Sequence, residues 1–207
     1  MKTEIFKLIA NWQNLIQEKD NKDILSALFQ KSNQIKFSKV SFAESPCFVN
    51  DTVTLHFGVS DDHKTLYGIL LRASQNNLDA IFLKDTLIYV EEFKEEIDRT
   101  KKPLLKAEKG PFKYEQITEE EAQSRINSWS KNKATWLASA QKELPRYALI
   151  PNANFDQTAD YVVSLALKPF MQSSHQLDML IRNVTNGVYA DAVRVVPPCR
   201  PRPFWWD

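Results

Sequence analysis

The residues best suited to chemistry lie in one stretch in the first third of the chain. His56 stands within an alternating apolar run, and Asp61, Asp62 and His63 follow it closely. Imidazole and carboxylate groups are common metal ligands and common partners in acid–base catalysis. The pattern makes a metal or polar site around residues 61–63 a candidate, and an enzyme is the function that it would serve.

A structural interpretation of the same residues is favoured over that site. The alternation across residues 53–59 places His56 on the face opposite the apolar residues, which we expect to point to solvent. The run Asp-Asp-His-Lys is typical of an exposed turn. The corresponding loop of the second half contains His175 but no acidic pair. We therefore predict no bound metal and no cofactor.

Other chemical motifs are missing from the sequence. Its four glycines are not spaced as in nucleotide-binding loops, and the common serine-hydrolase and zinc-protease signatures do not occur. Cys47 and Cys199 lie far apart, and neither has an acid–base catalytic partner in the neighbouring sequence that would mark a nucleophile. We expect inert thiols in a reducing compartment.

Two arginines and the C-terminus are the candidates for contact with a partner. Arg72 and Arg182 each end an apolar run, so they could bind an anion or a protein, although a salt bridge or a snorkelling arginine at a sheet edge is favoured. The chain ends in a proline-rich segment with three consecutive aromatic residues, which are costly to leave in water. They either pack on the chain's own surface, the favoured alternative, or engage another molecule. These aromatic residues are Phe204, Trp205 and Trp206.

Composition limits the classes of partner. The 27 basic residues balance 26 acidic ones, and the net charge of +1 provides no field for a nucleic acid. The N-terminus has charges every few residues and does not resemble a secretory signal, and no window is long enough for a membrane span. A cytoplasmic protein that binds no nucleic acid and has no membrane span is the expectation.

The elements that would position these residues follow the hydrophobic period. Helical spacing predicts a helix over residues 4–16 and a second over 23–29, and alternation then predicts strands near 35–40, 53–59, 66–71, 78–83 and 87–90. After a charged connection with prolines, Thr118 and Glu121 form a capping-box pattern that opens a helix. A further helical segment, ended by Pro145, precedes strands near 147–150, 161–167, 177–182 and 188–196, with an Asn-Gly turn before the last.

The two halves share this order and some residues. Glu4, Ile9 and Trp12 recur as Glu121, Ile126 and Trp129, 117 residues later. Asp51 and Val53 recur at a spacing of 109 as Asp160 and Val162. Leu70, Leu71, Arg72, Asn76 and Ala80 recur at 110 as Leu180, Ile181, Arg182, Asn186 and Ala190. We interpret the repetition as a tandem duplication of a unit of about 100 residues, in preference to chance similarity of two helix-plus-sheet units.

These motifs carry a resemblance. The Glu-x-x-x-x-Ile-x-x-Trp helix, the strand Val-Thr-Leu-His-Phe-Gly-Val-Ser and the Pro-Pro-Cys near the end resemble small uncharacterised bacterial proteins. The resemblance implies a single helix-plus-strand unit, a Cys-Pro-Pro-x-Cys tail and no established activity. Here Cys199 follows the prolines, but no cysteine precedes them, so a thiol-pair function of the tail is not implied.

Together these patterns predict an α+β protein of two similar units, each with helices packed on an antiparallel meander; whether the two sheets join into one is left open. The units span residues 1–95 and 118–196, joined by a linker at 96–117 and followed by a tail at 197–207. We expect a non-enzymatic interaction or assembly protein with a protein partner. The alternative is an enzyme with a site near Asp61 and His63.

Overall fold

The structure is a computed structural model, and it describes residues 2–18, 20–40, 52–73, 88–95, 116–140, 144–151, 155, 159–170, 174–191 and 194–196. Several predictions fall outside these ranges. They concern the strand at 78–83, Cys47, Cys199, the linker at 96–115 and the whole tail from residue 197.

Three helices are described: α1 (Lys2–Gln17), α2 (Lys22–Gln30) and α3 (Glu119–Ala140). The capping pattern at the start of α3 is confirmed, because the backbone N–H of Glu121 donates to the Thr118 hydroxyl at 3.1 Å. The prediction of two helical segments here is wrong, since α3 is continuous. No proline or glycine interrupts it, and Trp129 and Trp136, two turns apart, are buried together.

The strands form two antiparallel sheets, which confirms the α+β class. Sheet 1 has the order β1-β7-β8-β9-β5, and sheet 2 has the order β10-β6-β2-β3-β4. The strands are β1 (Gln34–Val40), β2 (Thr52–Val59), β3 (Leu66–Ala73), β4 (Ile88–Glu92), β5 (Gln116–Ile117), β6 (Tyr147–Pro151), β7 (Ala159–Phe170), β8 (Ser174–Asn183), β9 (Tyr189–Ala190) and β10 (Arg194–Val196).

Each sheet contains strands from both halves of the chain. Strand β1 pairs with β7, with Ile35 opposite Val163, while β6 pairs with β2, with Ile150 opposite Val53. The two halves have therefore exchanged their first strands. Each half of the chain therefore contributes to both sheets. Among the residues described, the two sheets are separate but are bridged where Gln34 of β1 pairs with Lys94, two residues after β4.

The main hydrophobic core takes side chains from both sheets. It includes Leu55 and Phe57 of β2 together with Val163 and Leu165 of β7, all of them buried. Two smaller clusters lie on the opposite faces of the sheets, one beneath each long helix. Ile5 and Ile9 of α1 pack on Ile69 and Leu71 of β3, and Ala122 and Ile126 of α3 pack on Ala166 and Leu180. The layers therefore run helix, sheet, sheet, helix.

The two repeated tryptophans meet at Phe29 of α2. Its ring lies edge-on to Trp12 of α1 (6.1 Å between centroids) and to Trp129 of α3 (5.5 Å). The Trp12 ring also stacks on Phe57, at 5.2 Å. Edge-to-face and offset contacts of this kind are favourable between buried aromatic rings. Both tryptophans therefore belong to the main core.

The C-terminal strands differ from prediction. The Asn-Gly hairpin is confirmed, since β8 pairs with β9 across a turn in which Gly187 has a φ of 72°. The single strand expected at 188–196 is wrong, because β9 belongs to sheet 1 and β10 to sheet 2. Residues 116 and 117, assigned to the linker, form β5 at the edge of sheet 1. None of the helices described is long and apolar enough to span a membrane.

Candidate functional site

His56 is buried, contrary to the expectation that it faces solvent. Only 7% of the residue is exposed, and it lies on the outer face of sheet 2, between Ile69 of β3 and Tyr147 of β6 in the strand register. The alternation of β2 is as predicted. Alternation cannot reveal that α1 packs over this second face. The two elements are so close that a Cβ at Gly58 would lie 2.9 Å from the Cβ of Leu8.

The imidazole of His56 is held in a largely apolar environment. Its ring centroid lies 5.3 Å from that of Tyr147, and its buried Nδ1 atom has no hydrogen-bond partner among the residues described. Burial lowers the pKa of His56 to about 4, because desolvation disfavours the charged ring. The histidine is therefore neutral at physiological pH.

Asp61 ties the β2–β3 loop to helix α1. Its carboxylate forms an ion pair with Lys7 and accepts a hydrogen bond from the Asn11 amide at 3.0 Å. The same Asn11 amide donates to the carbonyl of Val59 at 3.1 Å. The hydrogen bonds from Lys7 and Asn11 lower the pKa of Asp61. This carboxylate thus positions a helix on a hairpin.

Asp62 and His63 shape the turn itself. The Asp62 carboxylate accepts a hydrogen bond from the Ser60 hydroxyl at 2.6 Å and one from the backbone N–H of Lys64, which together lower its pKa. His63 has a left-handed backbone, with a φ of 55°. The candidate ligands therefore divide between a buried strand face and an exposed turn. Within the described ranges no three His, Cys, Asp or Glu side chains are grouped to hold a metal ion.

Of the two candidate arginines, only Arg182 has a described side chain. Arg182 lies half-buried on the outer face of sheet 1, with its guanidinium carbon 5.5 Å from the centre of the Tyr189 ring. The contact is a cation–π interaction, and the buried Nε of Arg182 has no hydrogen-bond partner among the residues described. Arg72 pairs with Val53 in the register of sheet 2, and its side chain lies outside the described atoms. Phe204, Trp205 and Trp206 also lie outside the described residues.

The sequence interpretation missed a buried charged cluster between α3 and sheet 1. Arg125 donates through one nitrogen to Asp178 (2.8 Å) and Asp191 (2.5 Å), and its other terminal nitrogen binds Glu121 one turn earlier. Lys168 approaches the second oxygen of Asp178 at 3.6 Å. Only 1% of the Asp178 side chain is exposed. The cluster fixes how α3 docks on β8 and the segment after β9.

Burial and pairing oppose each other in this cluster. Burial and the neighbouring Asp191 raise the pKa of Asp178, although Arg125 favours its ionised form. Burial disfavours the charge on Arg125, but hydrogen bonds to Asp191, Asp178 and Glu121 outweigh it and raise its pKa. A signal was present in the sequence, since Asp178 interrupts an apolar strand. A charge at such a position needs a partner.

The solvent face of α3 carries a shallow depression of about 590 Å³. Amide and hydroxyl side chains line most of it, including Gln123, Ser124, Asn127 and Ser128. It offers hydrogen-bonding groups but is wide open to solvent, whereas small-molecule sites are concave and largely apolar. We regard it as a secondary surface.

A more distinctive surface lies at the C-terminal edge of sheet 2. The apolar cluster beneath α1 contains residues of β3 and β4 but none of β6, among the residues described. On β6, Tyr147 and Leu149 alternate with buried residues and are only half-buried. Strand β10 lies beyond β6 as the outermost strand, and the proline-rich tail follows it directly. We call Tyr147, Leu149 and the adjoining His56 the β6 face.

Comparison with known proteins adds no guide to this surface. No family model, curated protein or solved structure matches the chain. The resemblance to small bacterial proteins stays a prediction.

Proposed function

We propose that this protein is a non-enzymatic, cytoplasmic interaction protein that binds another protein through its C-terminal end. The observation that carries the proposal is the position of β10. It is the outermost strand of sheet 2 among the strands described, and the aromatic tail begins at the residue after it. An edge strand is thus followed, eight residues later in the sequence, by a run of aromatic residues.

The chemistry of this end suits a protein partner. A sheet edge presents unpaired backbone N–H and C=O groups to which an extended segment can add. Strand β10 has three residues, and Pro197 and Pro198 cannot donate backbone hydrogen bonds beyond it. Strand addition alone would therefore be short. The tail aromatics supply apolar contact area, and tryptophan is prominent among residues that dominate binding energy.

Catalysis draws less support from the described residues. An enzyme near His56 and residues 61–63 would need groups free to meet a substrate. Instead Asp61 binds Lys7 and Asn11, Asp62 binds Ser60 and Lys64, and His56 is covered by the chain itself. Both candidate carboxylates therefore already have structural partners, and the candidate imidazole of His56 is buried.

The tandem duplication is a further part of the proposal, and the helices support it. The repeated residues of α1 and α3 are buried in equivalent places. The isoleucines, Ile9 and Ile126, pack on the outer face of a sheet, and the tryptophans, Trp12 and Trp129, lie in the main core. The arrangement of strands is also equivalent in the two sheets. Strand β2 lies between β3, the next strand of its own half, and β6 from the other half, and β7 lies between β8 and β1 in the same way. The tail occurs once, so we expect one partner per chain.

The strand matches taken from the sequence do not support the duplication. Leu70 belongs to the main core, whereas Leu180, matched to it at a spacing of 110, packs beneath α3. The matched residues lie on opposite faces of their sheets. A one-residue shift in a strand reverses its face, so these identities do not mark equivalent positions.

Site-specific photo-crosslinking tests the proposed function. The photoreactive residue p-benzoylphenylalanine replaces Trp205 in one variant and Asn127, exposed on α3, in a matched control. We expect a discrete protein adduct from position 205 in cells, and its absence from position 127. The identified protein is then purified and titrated with the intact chain and with a chain lacking residues 200–207. We expect the deletion to weaken affinity by about tenfold or more.

Two outcomes oppose the proposal. An adduct from position 127 alone would move the binding surface to the polar face of α3. Equal affinity of the intact and shortened chains for the identified protein would remove the tail from the binding site.

A further inference from the structure

One cation of sheet 1 has no acidic partner among the residues described. Arg182 of β8 lies half-buried on the outer face of the sheet, and its Nε is buried without a hydrogen-bond partner. Neither of its terminal nitrogens forms a hydrogen bond or ion pair within the described ranges, and neither is an unpaired buried atom, so both reach solvent. Charges taken out of water are normally paired, because burial weakens their hydration. The guanidinium therefore has donors available for a ligand.

Acidic residues on the same side of the sheet already have cationic partners. Asp160 of β7 forms an ion pair with Lys36 of β1 at 2.7 Å. Asp191, just after β9, is bound by Arg125 of α3 at 2.5 Å. The positive charge of Arg182 is thus left without a neutralising side chain among the residues described. A carboxylate from outside the chain can meet this charge without breaking an existing pair.

The ring of Tyr189 helps to fix the position of the guanidinium. Tyr189 lies opposite Arg182 in the register of β8 and β9, and its ring centre is 5.5 Å from the guanidinium carbon. Tyr189 is itself held in the apolar cluster beneath α3, with Ala122 and Ile126. A guanidinium that rests on a ring has less freedom to lose on binding, and its planar fork matches the two oxygens of a carboxylate.

An exposed apolar side chain lies beside this cation. Val184 extends the pairing of β8 with β7, because its backbone N–H donates to the carbonyl of Asp160 at 2.9 Å. Two residues after Arg182, it lies on the same face of the sheet. Val184 is 39% exposed, and no other large apolar residue is exposed among those described. A cation and an apolar contact therefore lie side by side, at the spacing of alternate residues in a strand.

This combination favours a singly charged group next to an apolar one. A phosphate group carries about two negative charges at neutral pH and is best held by several cations. Here the second cation of the row, Lys36, is already paired with Asp160, whose own charge opposes a dianion near Arg182. A glutamate or aspartate carries one charge. An extended peptide that has an apolar side chain two residues from its carboxylate matches both Arg182 and Val184.

We propose that Arg182 and Val184 bind an extended acidic segment of another protein. The terminal nitrogens of Arg182 hold the carboxylate of the segment, and Val184 packs against an apolar side chain two residues along it. The site belongs to sheet 1, whereas the proposed C-terminal surface belongs to sheet 2. The inference therefore goes beyond the proposed function and does not depend on it.

Titration of the ¹⁵N-labelled full-length chain with model peptides tests the site. The probe is the capped peptide Ac-Thr-Glu-Thr-Leu-Thr-NH₂, and in the matched control peptide Gln replaces Glu. Binding is followed by the NMR signals of the Arg182 Nε–H and the Val184 backbone amide. We expect saturable shifts with the Glu peptide. The dissociation constant of the Gln peptide should be about tenfold higher, because hydrogen bonds between charged groups are stronger than those to a neutral amide.

Three variants separate the contributions to binding. Arg182→Gln should abolish the shift of the Val184 amide, and Val184→Thr, which keeps the side-chain shape, should raise the dissociation constant about threefold. Arg146→Gln also removes a half-buried arginine with an unpaired Nε, so it is the matched control and should leave binding unchanged. Urea denaturation checks the fold. Because Arg182→Gln removes an unpaired charge, it should be at least as stable as the unaltered chain.

Four results would overturn the inference. Equal affinity for the Glu and Gln peptides would mean that the carboxylate is not recognised. Equal weakening by Arg146→Gln and Arg182→Gln would reduce the contact to general charge attraction. A tighter response of Arg182 to inorganic phosphate than to the Glu peptide would replace the acidic segment by a phosphate ligand. No shift at Arg182 with the Glu peptide, together with a loss of stability in Arg182→Gln, would leave the arginine with a structural role only.

Discussion

The indole N–H of Trp129 donates a hydrogen bond to the side-chain oxygen of Asn33 at 3.0 Å, joining α3 to the residue that precedes β1. Lys133, one turn further along α3, donates to the same oxygen. The Asn33 amide nitrogen in turn donates to the carbonyl of Glu95 at 2.9 Å. One side chain therefore connects three segments that are far apart in sequence.

Replacement of Asn33 should destabilise the fold. Asn33→Ala leaves the Trp129 N–H without its acceptor in a fully buried ring, and we expect a loss of about 2 kcal/mol in the free energy of unfolding. Asn33→Asp keeps an acceptor for Trp129 and Lys133, so it should lose less. Urea denaturation monitored by tryptophan fluorescence measures both. Equal losses in the two variants would mean that the shared acceptor contributes little.

Local features of this fold could be predicted from the sequence, and pairings between distant segments could not. The helical spacing of Ile9 and Trp12 and the alternation of β2 are properties of single elements, and both are confirmed. The pairing of β1 with β7 joins Gln34 to Ser164, and no local pattern encodes it. The sequence therefore indicated the elements but not the exchange of first strands between halves.

The same limit explains the errors at the candidate site. Alternation correctly put His56 opposite the main core, but exposure depends on what packs over the second face, and that is α1. The partners of Arg125 come from β8 and from the segment after β9, more than 50 residues away. Only Asp178, a charged residue within an apolar run, gave a local hint of a buried ion pair.

The two glycines of sheet 2 should differ in their tolerance of alanine. A Cβ at Gly58 would lie 2.9 Å from the Cβ of Leu8, an atom fixed to the backbone of α1. A Cβ at Gly68 would lie 2.5 Å from the Cδ1 of Ile35, at the end of a flexible side chain. We expect Gly58→Ala to cost more stability, because relief there requires α1 to shift, whereas a rotamer change can relieve Gly68→Ala.

Thermal denaturation of both glycine variants measures the difference. The expected order is unaltered chain, Gly68→Ala, then Gly58→Ala, with about 2 kcal/mol lost in the last. Adding Leu8→Gly to Gly58→Ala removes the clashing Cβ but introduces a helix glycine, which itself costs about 1 kcal/mol. A smaller loss for Gly58→Ala than for Gly68→Ala would contradict the close packing of α1.

Arg125 should be among the most sensitive polar positions. Arg125→Met leaves Asp178 and Asp191 close together in a buried site without their shared cation, and we expect a loss of about 3 kcal/mol at pH 7. The double variant Arg125→Met/Asp178→Leu removes the most buried charge as well and should recover much of that loss. Urea denaturation of the single and double variants completes a mutant cycle.

The loss in Arg125→Met should also depend on pH. Burial already raises the pKa of Asp178 above that of an unfolded chain, and removal of Arg125 raises it further. A carboxyl with a raised folded pKa contributes stability at low pH that is lost as the pH rises through that pKa. The variant should therefore approach the unaltered chain in stability as the pH falls. A loss that is constant between pH 7 and pH 4 would rule out the ionisation of Asp178 as its cause.

His56 should make the stability of the protein fall in mildly acidic solution. Its folded pKa of about 4 lies below the value of 6.5 expected when it is unfolded. Between these values the unfolded chain binds a proton at this residue and the folded chain does not, so acid favours unfolding. The stability that His56 contributes is complete above pH 6.5 and is lost as the pH falls towards 4. The difference of about 2.5 pKa units corresponds to about 3 kcal/mol.

A pair of histidine variants isolates this effect. His56→Gln removes the titrating group, so its free energy of unfolding should fall less between pH 7 and pH 4 than that of the unaltered chain. His175→Gln, at an exposed position of β8, serves as the matched control and should retain the full pH dependence. Urea denaturation at half-unit pH intervals separates the two. Because carboxyl groups titrate in the same range, the informative quantity is the difference between the curves of unfolding free energy against pH. Parallel curves for all three proteins would mean that the His56 ring is solvated.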